Sequence, residues 1–432
     1  MDEKFLYHIW DEGHLKPDLK TENGKNLRIV YQGQFNTNRG PDFCNVILEL
    51  DGQAIQGDVE IHVNSYDWIA HNHHEDHHYN DVILHVVLFN NGKQSHTIKE
   101  NGEAIEILAI KEQLSEDIQK LLDEHQEAEA KVPSGYCALL AAVDNDTLIA
   151  ILNSYGRRRF HNKVHRFNAM LMLSDFDQVL YEGIMEALGY DKNKLNLLKI
   201  AQLIPLREIR DWYREGMTAV ELIAVLCCST GILKRSGKIL DPALVSSLEQ
   251  SYEQQRFHAR QLDIDWQLFR IRPSNHPVFR LVSFGALLYR SLQSSLLKFF
   301  LDLVPLETTP RLHFQNFHSV LTASALPGAE KLPQPGQALV SNIYINIFLP
   351  IIHLYHEKLG HAEELARILT LYSGFRPLQE NHITRFMSRQ MSPAQVKLAN
   401  SRSLYQQGLI ELFYRHCRYH LCDQCVADSV SS

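Results

Sequence analysis

The sequence is short of the features that would tie it to export or to a membrane. Its seven cysteines in 432 residues are an odd number, too few and too scattered for a disulfide framework. The opening MDEKFLYHIWDEGHLK has acidic residues where a signal peptide needs basic ones, and no apolar region follows it, so a cytoplasmic location is expected. Long apolar runs are missing too. The most apolar stretch, 339–355, is interrupted by Asn342, Asn346, Pro350 and His353, which predicts a buried helix and no membrane partner. There is no basic excess: 43 Lys plus Arg stand against 51 Asp plus Glu, a formal charge of −8, so any contact with a polyanion must be local.

What remains is the composition of an ordinary globular protein, 45% hydrophobic and 22% charged, long enough for two or three domains. Residues 3–12 space Phe5, Leu6, Ile9 and Trp10 as one face of a short helix. Gly and Asn then recur, and strands are expected at 27–31, 43–50, 54–63, 81–89 and 94–98. Residues 111–131 are charged and rich in helix formers, which predicts an exposed connecting helix, broken by VPSG at 132–135. From Tyr136 onward the pattern is helical, without a fixed-period repeat.

The chemistry gathers in RGPDFCNVILELDGQAIQGDVEIHV, 39–63, two strands joined by Asp51-Gly52. Strand faces repeat every two residues, so Asp58, Glu60 and His62 share one face while Val59, Ile61 and Val63 share the other. Just downstream, DWIAHNHHEDHHYNDVILHVV (67–87) places five histidines within eight positions and His85 inside an apolar strand. Imidazole is the commonest metal ligand, and a helical segment there would pair His73 with His77 or His74 with His78; a solvated loop is the plain alternative for His74, His77 and His78.

Pro41-Asp42 followed by Glu60-Ile61-His62 resembles the PD-(D/E)xK nuclease superfamily, whose core opens one strand with Pro-Asp and carries an acidic-x-Lys triplet on the next. The resemblance implies a restriction-endonuclease-like site in which Asp42 and Glu60 hold Mg²⁺ or Mn²⁺ and the third residue positions a water. His62 stands where lysine is usual, which shifts the preference toward Mn²⁺ or Zn²⁺ or marks an inactive relative. Such sites can include an upstream helical glutamate, here Glu3 or Glu12. A second resemblance spans nearly the whole chain: GPDF, GDVEIH, DW, H-x-H-x-x-D-x-x-Y, VILHVV, RIRPSNHP and a cysteine trio are similar to an uncharacterised bacterial family known only as a domain of unknown function. It singles out His71, His73, Asp76 and His85 as further metal candidates, with His85 a sheet neighbour of His62 or a satisfied core histidine.

Two more groups complete the reading. Cys417, Cys422 and Cys425, spaced C-x₄-C-x₂-C, form a knuckle for zinc or, by analogy with cysteine-closed nucleases, an iron–sulfur cluster. Cys137 is the first choice of fourth ligand, with His416 or His420 as local substitutes, whereas Cys227 and Cys228 read as core residues. Local phosphate contacts are expected from Arg157, Arg158, Arg159 and Lys163, and from Arg270 and Arg272. The expected protein is α+β. It has a nuclease-like α/β domain over 1–110, a linker over 111–135 and a helical domain over 136–432, and it works as a metal-dependent nuclease on DNA or RNA. The alternatives are an inactive nucleic-acid- or protein-binding module and a histidine-metal hydrolase.

Overall fold

The structure, a computed structural model, describes residues 3–36, 39–116, 120–121, 137, 140, 142–254, 256–257, 260–323, 332–419 and 425. It begins with helix α1 (Glu3–Glu12), whose Phe5, Leu6, Ile9 and Trp10 are all buried. A single mixed sheet follows. Its strands are β1 (Leu19–Lys20), β2 (Asn26–Tyr31), β3 (Gln34–Phe35), β4 (Phe43–Leu50), β5 (Gln53–Asn64), β6 (Val82–Phe89), β7 (His96–Ile98) and β8 (Ala104–Ala109). They run in the order β1-β2-β4-β5-β6-β8-β7, with β3 added to β4.

The central hairpin β4–β5 turns on Asp51 and Gly52, with φ of 48° and 83°. Two positive φ values in a two-residue loop make the turn whose twist matches the strands, and Asp-Gly is a sequence that tolerates it. From β5 the chain crosses through the short helix α2 (Asp67–Ala70) and two 3₁₀ turns, His73–Glu75 and His77–Tyr79, into β6, parallel to β5. The helix that would have paired His73 with His77 does not form. Asn72 takes φ of 61° and Asp76 an extended conformation, so the segment is broken twice within five residues.

Val59 and Ile61 of β5 join α1 in one apolar cluster with Phe43, Val46, Leu48, Leu84 and Val86. Glu60 and His62 take the opposite face, beside a smaller cluster of Trp68, Tyr79, Val82 and Ile105. Both faces are therefore buried. Asp58 departs from the expected alternation: a register shift between Asp58 and Val59 aims its carboxylate at the Asn45 amide, 3.0 Å away, and out of the Glu60 group.

The connecting helix does not start at Lys111. Lys111–Gln113 is a 3₁₀ turn, and the Gln113 side chain accepts from the Lys20 amide and donates to the Lys20 carbonyl, closing the β1 edge. Most of the expected linker, 122–136, lies outside the described residues.

From Asn145 the described elements are helical. The Asn145–Met170 helix runs against the Ser403–Arg415 helix, which is buried from Ser403 to Leu412. Their approach is set by two glycines facing in opposite directions: a β-carbon on Gly156 would lie 2.4 Å from the Leu404 carbonyl oxygen, and one on Gly408 2.4 Å from that of Leu152. The Gln337–Leu359 helix is long and apolar enough to cross a membrane, yet 78% of its apolar window is buried inside the protein, as expected for a core helix. Sheet and helices meet directly: Ile47 of β4 belongs to the helical core, the Gln34 amide donates to Glu186 at 3.0 Å, and Arg418 lies 4.0 Å over the Phe35 ring.

Because carbonyl oxygens occupy the space, Gly156→Ala and Gly408→Ala must push the two helices apart. Each is expected to destabilise the chain by about 1–3 kcal/mol, as for other overpacked cores, measured as a lower urea midpoint at unchanged slope.

Candidate metal centre

Asp42 closes the loop before β4, and its Oδ2 accepts from the Ile61 amide at 2.9 Å, while the Asp42 amide donates to Glu60 Oε2 at 3.0 Å. The two carboxyl groups are locked to each other's strands. Glu60 Oε1 then faces His73 Nε2 at 3.2 Å and His62 Nε2 at 3.5 Å, and His62 Nε2 lies 3.2 Å from His71 Nδ1. The ligand atoms of His62, His71 and His73 all fall within 4.8 Å of one another. Ligand atoms around a tetrahedral ion with bonds of 2.0–2.1 Å stand about 3.3 Å apart, a spacing that the Glu60–His73, Glu60–His62 and His62–His71 pairs match. The two groups read separately in the sequence, acidic hairpin and histidine loop, form one site with Glu60 common to both.

His85 is not placed as a ligand. Its Nε2 faces His62 Nδ1 at 2.9 Å and its Nδ1 faces the Thr97 hydroxyl at 2.8 Å, so both ring nitrogens are occupied. If His85 donates to Thr97 and accepts from His62, the His62 proton sits on Nδ1 and the lone pair of Nε2 points at Glu60 and His71. That is the role of a residue orienting a ligand from behind. Asp76 is also displaced from the expected set. Its Oδ1 takes the His78 amide and ring, at 3.0 and 2.6 Å, and its Oδ2 takes Arg39 at 2.8 Å. Burial alone would raise the Asp76 carboxyl; these donors outweigh it and hold it well below the usual carboxylate range.

The electrostatics fit a cation. Burial, then the facing Glu60 carboxylate, pushes Asp42 up to about 8, and burial likewise lifts Glu60 to about 8 against the opposing Asp42 amide. Burial, then the neighbouring imidazoles, lowers His62 to about 2 and His85 to about 3, so both are neutral at physiological pH. Of the two helical glutamates, Glu3 acts on both carboxyls, whereas Glu12 pairs with Arg415 at 3.6 Å. Among the described residues no lysine or arginine forms an ion pair with Asp42 or Glu60.

The residues that sequence reasoning passed over are Tyr7, whose hydroxyl donates to Asp42, and Thr97, which ends the histidine chain. Only the helix period and a three-residue strand marked their positions. Tyr79, the last position of H-x-H-x-x-D-x-x-Y, packs its ring 3.8 Å from His73, and Trp68 of the DW pair lies 5.4 Å from the same imidazole.

The outlying candidates separate. Arg157 and Arg158 are exposed, as are Arg270 and Arg272. Arg159 is spent on Gln407 and Glu411, and the half-buried Lys163 donates to Asn346 and Gln407, with desolvation and then Arg159 lowering its pKa; both are engaged within the protein. Cys137, Cys417 and Cys425 all pack against the helical core, while Cys422 and His420 lie outside the described residues. His416 Nε2 is taken by the Tyr155 hydroxyl at 2.7 Å. Cys227 is buried and Cys228 partly so, as expected of core thiols.

Fold and site together define an α+β protein with a buried histidine–carboxylate centre on its central strands. A family model described as "Protein of unknown function (DUF2851)" matches residues 3–382, and the chain belongs to that family. The match takes in every residue of the centre and stops short of the cysteine trio. No curated protein and no solved structure matches the chain.

Carboxyls with folded pKa values near 8 and unfolded values near 4 favour folding when protonated, so their contribution is full below about pH 4 and is lost as pH rises through 8. Metal-stripped protein should therefore melt lower at pH 8.5 than at pH 6, and added Mn²⁺ or Zn²⁺ should restore more of the loss in wild type than in Glu60→Gln. Calorimetry across that range checks both.

Proposed function

We propose that the chain is a metal-dependent hydrolase of phosphodiester bonds, built on one transition-metal ion held by Glu60, His62, His71 and His73. The observation that carries the reading is Glu60 Oε1 standing 3.2 and 3.5 Å from the Nε2 atoms of His73 and His62, in a pocket of neutral imidazoles. Three nitrogens and a carboxylate suit Mn²⁺, Fe²⁺ or Zn²⁺ better than Mg²⁺, which prefers oxygen. Bound there, such an ion would supply Lewis-acid polarisation of a phosphoryl oxygen and an acidified water.

The likeness to the PD-(D/E)xK superfamily gains support from placement: Asp42 immediately precedes β4, Glu60 and His62 lie on the adjacent β5, and Glu3 comes from the helix upstream. His62 replaces the charged lysine of that pattern with a neutral nitrogen. Asp42, held by the Ile61 amide and the Tyr7 hydroxyl, carries a pKa near neutrality, which suits it to take a proton from the attacking water. Phosphate contacts come down to the exposed Arg157, Arg158, Arg270 and Arg272. We further propose a structural zinc on Cys417, Cys422 and Cys425 with Cys137, supported by the C-x₄-C-x₂-C spacing of the trio.

Cleavage of bis(p-nitrophenyl) phosphate and of single- and double-stranded oligonucleotides, with Mn²⁺, Zn²⁺ and Mg²⁺ compared, tests the reading. Asp42→Asn should lower kcat by roughly 10²–10⁴ with metal binding kept. His85→Ala and Thr97→Val should weaken metal affinity by about 10- to 100-fold while leaving the ligand set intact. A protein that binds one equivalent of metal at this centre and cuts none of these substrates would overturn hydrolysis in favour of the binding module. For the thiols, metal analysis should lose one equivalent on Cys425→Ser, and an unchanged content would remove that site.

A further inference from the structure

The helical domain holds a cavity of about 830 Å³ with no part in the metal centre, walled by the Pro310–Thr322 helix, the Gln337–Leu359 helix and the turn at Gly374–Arg376. Its size lies in the range of small-molecule sites. Phe314 and Phe375 form its floor, their rings 5.0 Å apart, with the fully buried Tyr344 behind them at 5.2 Å from each. The Tyr344 hydroxyl is bonded to His313 at 2.8 Å, so this ring backs the floor without a spare polar demand.

Above this floor the charge has one sign. Arg311 and Arg376 line the cavity with His318, and among the described residues no aspartate or glutamate does. Among the described residues, neither arginine has a carboxylate within 4.0 Å. Arg376 is nevertheless fixed. Its guanidinium lies 5.1 Å over Phe314 and 5.7 Å over Phe375, it donates to the Ser341 hydroxyl at 3.3 Å, and with the Gln337 amide turned to satisfy both groups its oxygen accepts from Nη1 and Nη2 at 3.0 and 2.8 Å. All of these partners are neutral. A guanidinium held in place by neutral groups keeps its full charge for a ligand and has already lost the rotamer freedom that binding would cost. Burial and then Arg376 hold His318 below its ordinary pKa, leaving a neutral imidazole that both donates and accepts.

We propose that this cavity binds a 5′-phosphorylated nucleoside, its planar base against the Phe314 and Phe375 side of the cavity and its phosphate on Arg376 and Arg311. Guanidinium forks match phosphate oxygens, and aromatic faces stack bases of any identity. The ligand can come from a free mononucleotide or from the 5′ end of a polynucleotide, which share this chemistry. The inference stands apart from hydrolysis at the metal centre, because none of the cavity's residues belongs to that site.

Calorimetric titration of the full chain with AMP, UMP, adenosine, inorganic phosphate and a 5′-phosphorylated hexanucleotide tests it. AMP and UMP should bind with Kd below about 1 mM, and adenosine and phosphate each more weakly. Equal or tighter binding of the hexanucleotide identifies a strand end as the source; its failure to bind identifies the free nucleotide. Arg376→Gln should weaken AMP by roughly 10- to 100-fold, and so should Arg311→Gln, an exposed change that leaves the core packing untouched. Glu60→Gln should bind AMP as wild type does, which separates this result from any failure at the metal centre. Absence of AMP and UMP binding, binding of phosphate as tight as that of AMP, or unchanged affinity in both arginine variants would overturn the proposal.

Discussion

A carboxylate taken out of water must meet either a proton or a positive partner, and the organisation of the sheet domain follows from that condition at Glu60. Glu60 is 6% exposed on a central strand, with Asp42 pressed against it and, among the described residues, no arginine or lysine paired to either. The groups nearest its Oε1 are imidazoles, which burial keeps uncharged. The features that make this core poor at holding a bare carboxylate, low dielectric and several lone pairs facing one another, are those that would favour the divalent ion proposed for it.

The surrounding fold fixes these groups from the backbone outward. The Asp-Gly turn sets the register of β4 on β5, a bulge between Phe43 and Val46 shifts it, and together these bring the Asp42 amide to Glu60 and the Ile61 amide to Asp42. The parallel pairing of β6 puts His85 beside Glu60 and behind His62, and Thr97 of β7 closes the chain. Two interrupted 3₁₀ turns, in place of a helix, bury His73, leave His71 at the exposed rim of the same group and leave His77 exposed. Position within irregular backbone, more than residue type, decides which of the clustered histidines join the centre.

The strands and the hairpin were legible because two-residue alternation and Asp-Gly are local signals, and α1 was legible from its apolar spacing. The convergence of Glu60 with His71 and His73 was visible only as two separate motifs, since sequence spacing says nothing of a crossover that folds back on its own strand. Alternation puts Asp58 with Glu60, and a bulge it cannot foresee turns that carboxylate away; His85 reads as a ligand candidate because its Thr97 partner lies twelve residues on in a short strand. Lys163 illustrates the converse error. In a run of basic residues it reads as surface, but the helix that covers it, Ser403–Arg415, arrives some 240 residues later.

That late arrival has a consequence for how the molecule is made. The face of the Asn145–Met170 helix around Gly156 is shaped to receive Leu404 and Gly408, and Arg415 and Arg418 reach on to Glu12 and Asp11 of the first helix. During synthesis the sheet domain can close on itself, since its strands are neighbours in sequence. The long helix, by contrast, stays without its partner until nearly the whole helical domain has left the ribosome. Through that interval its apolar groove is open to solvent and to other chains. Nascent or truncated forms lacking the Ser403–Arg415 helix thus carry the molecule's main liability to chaperone capture and aggregation.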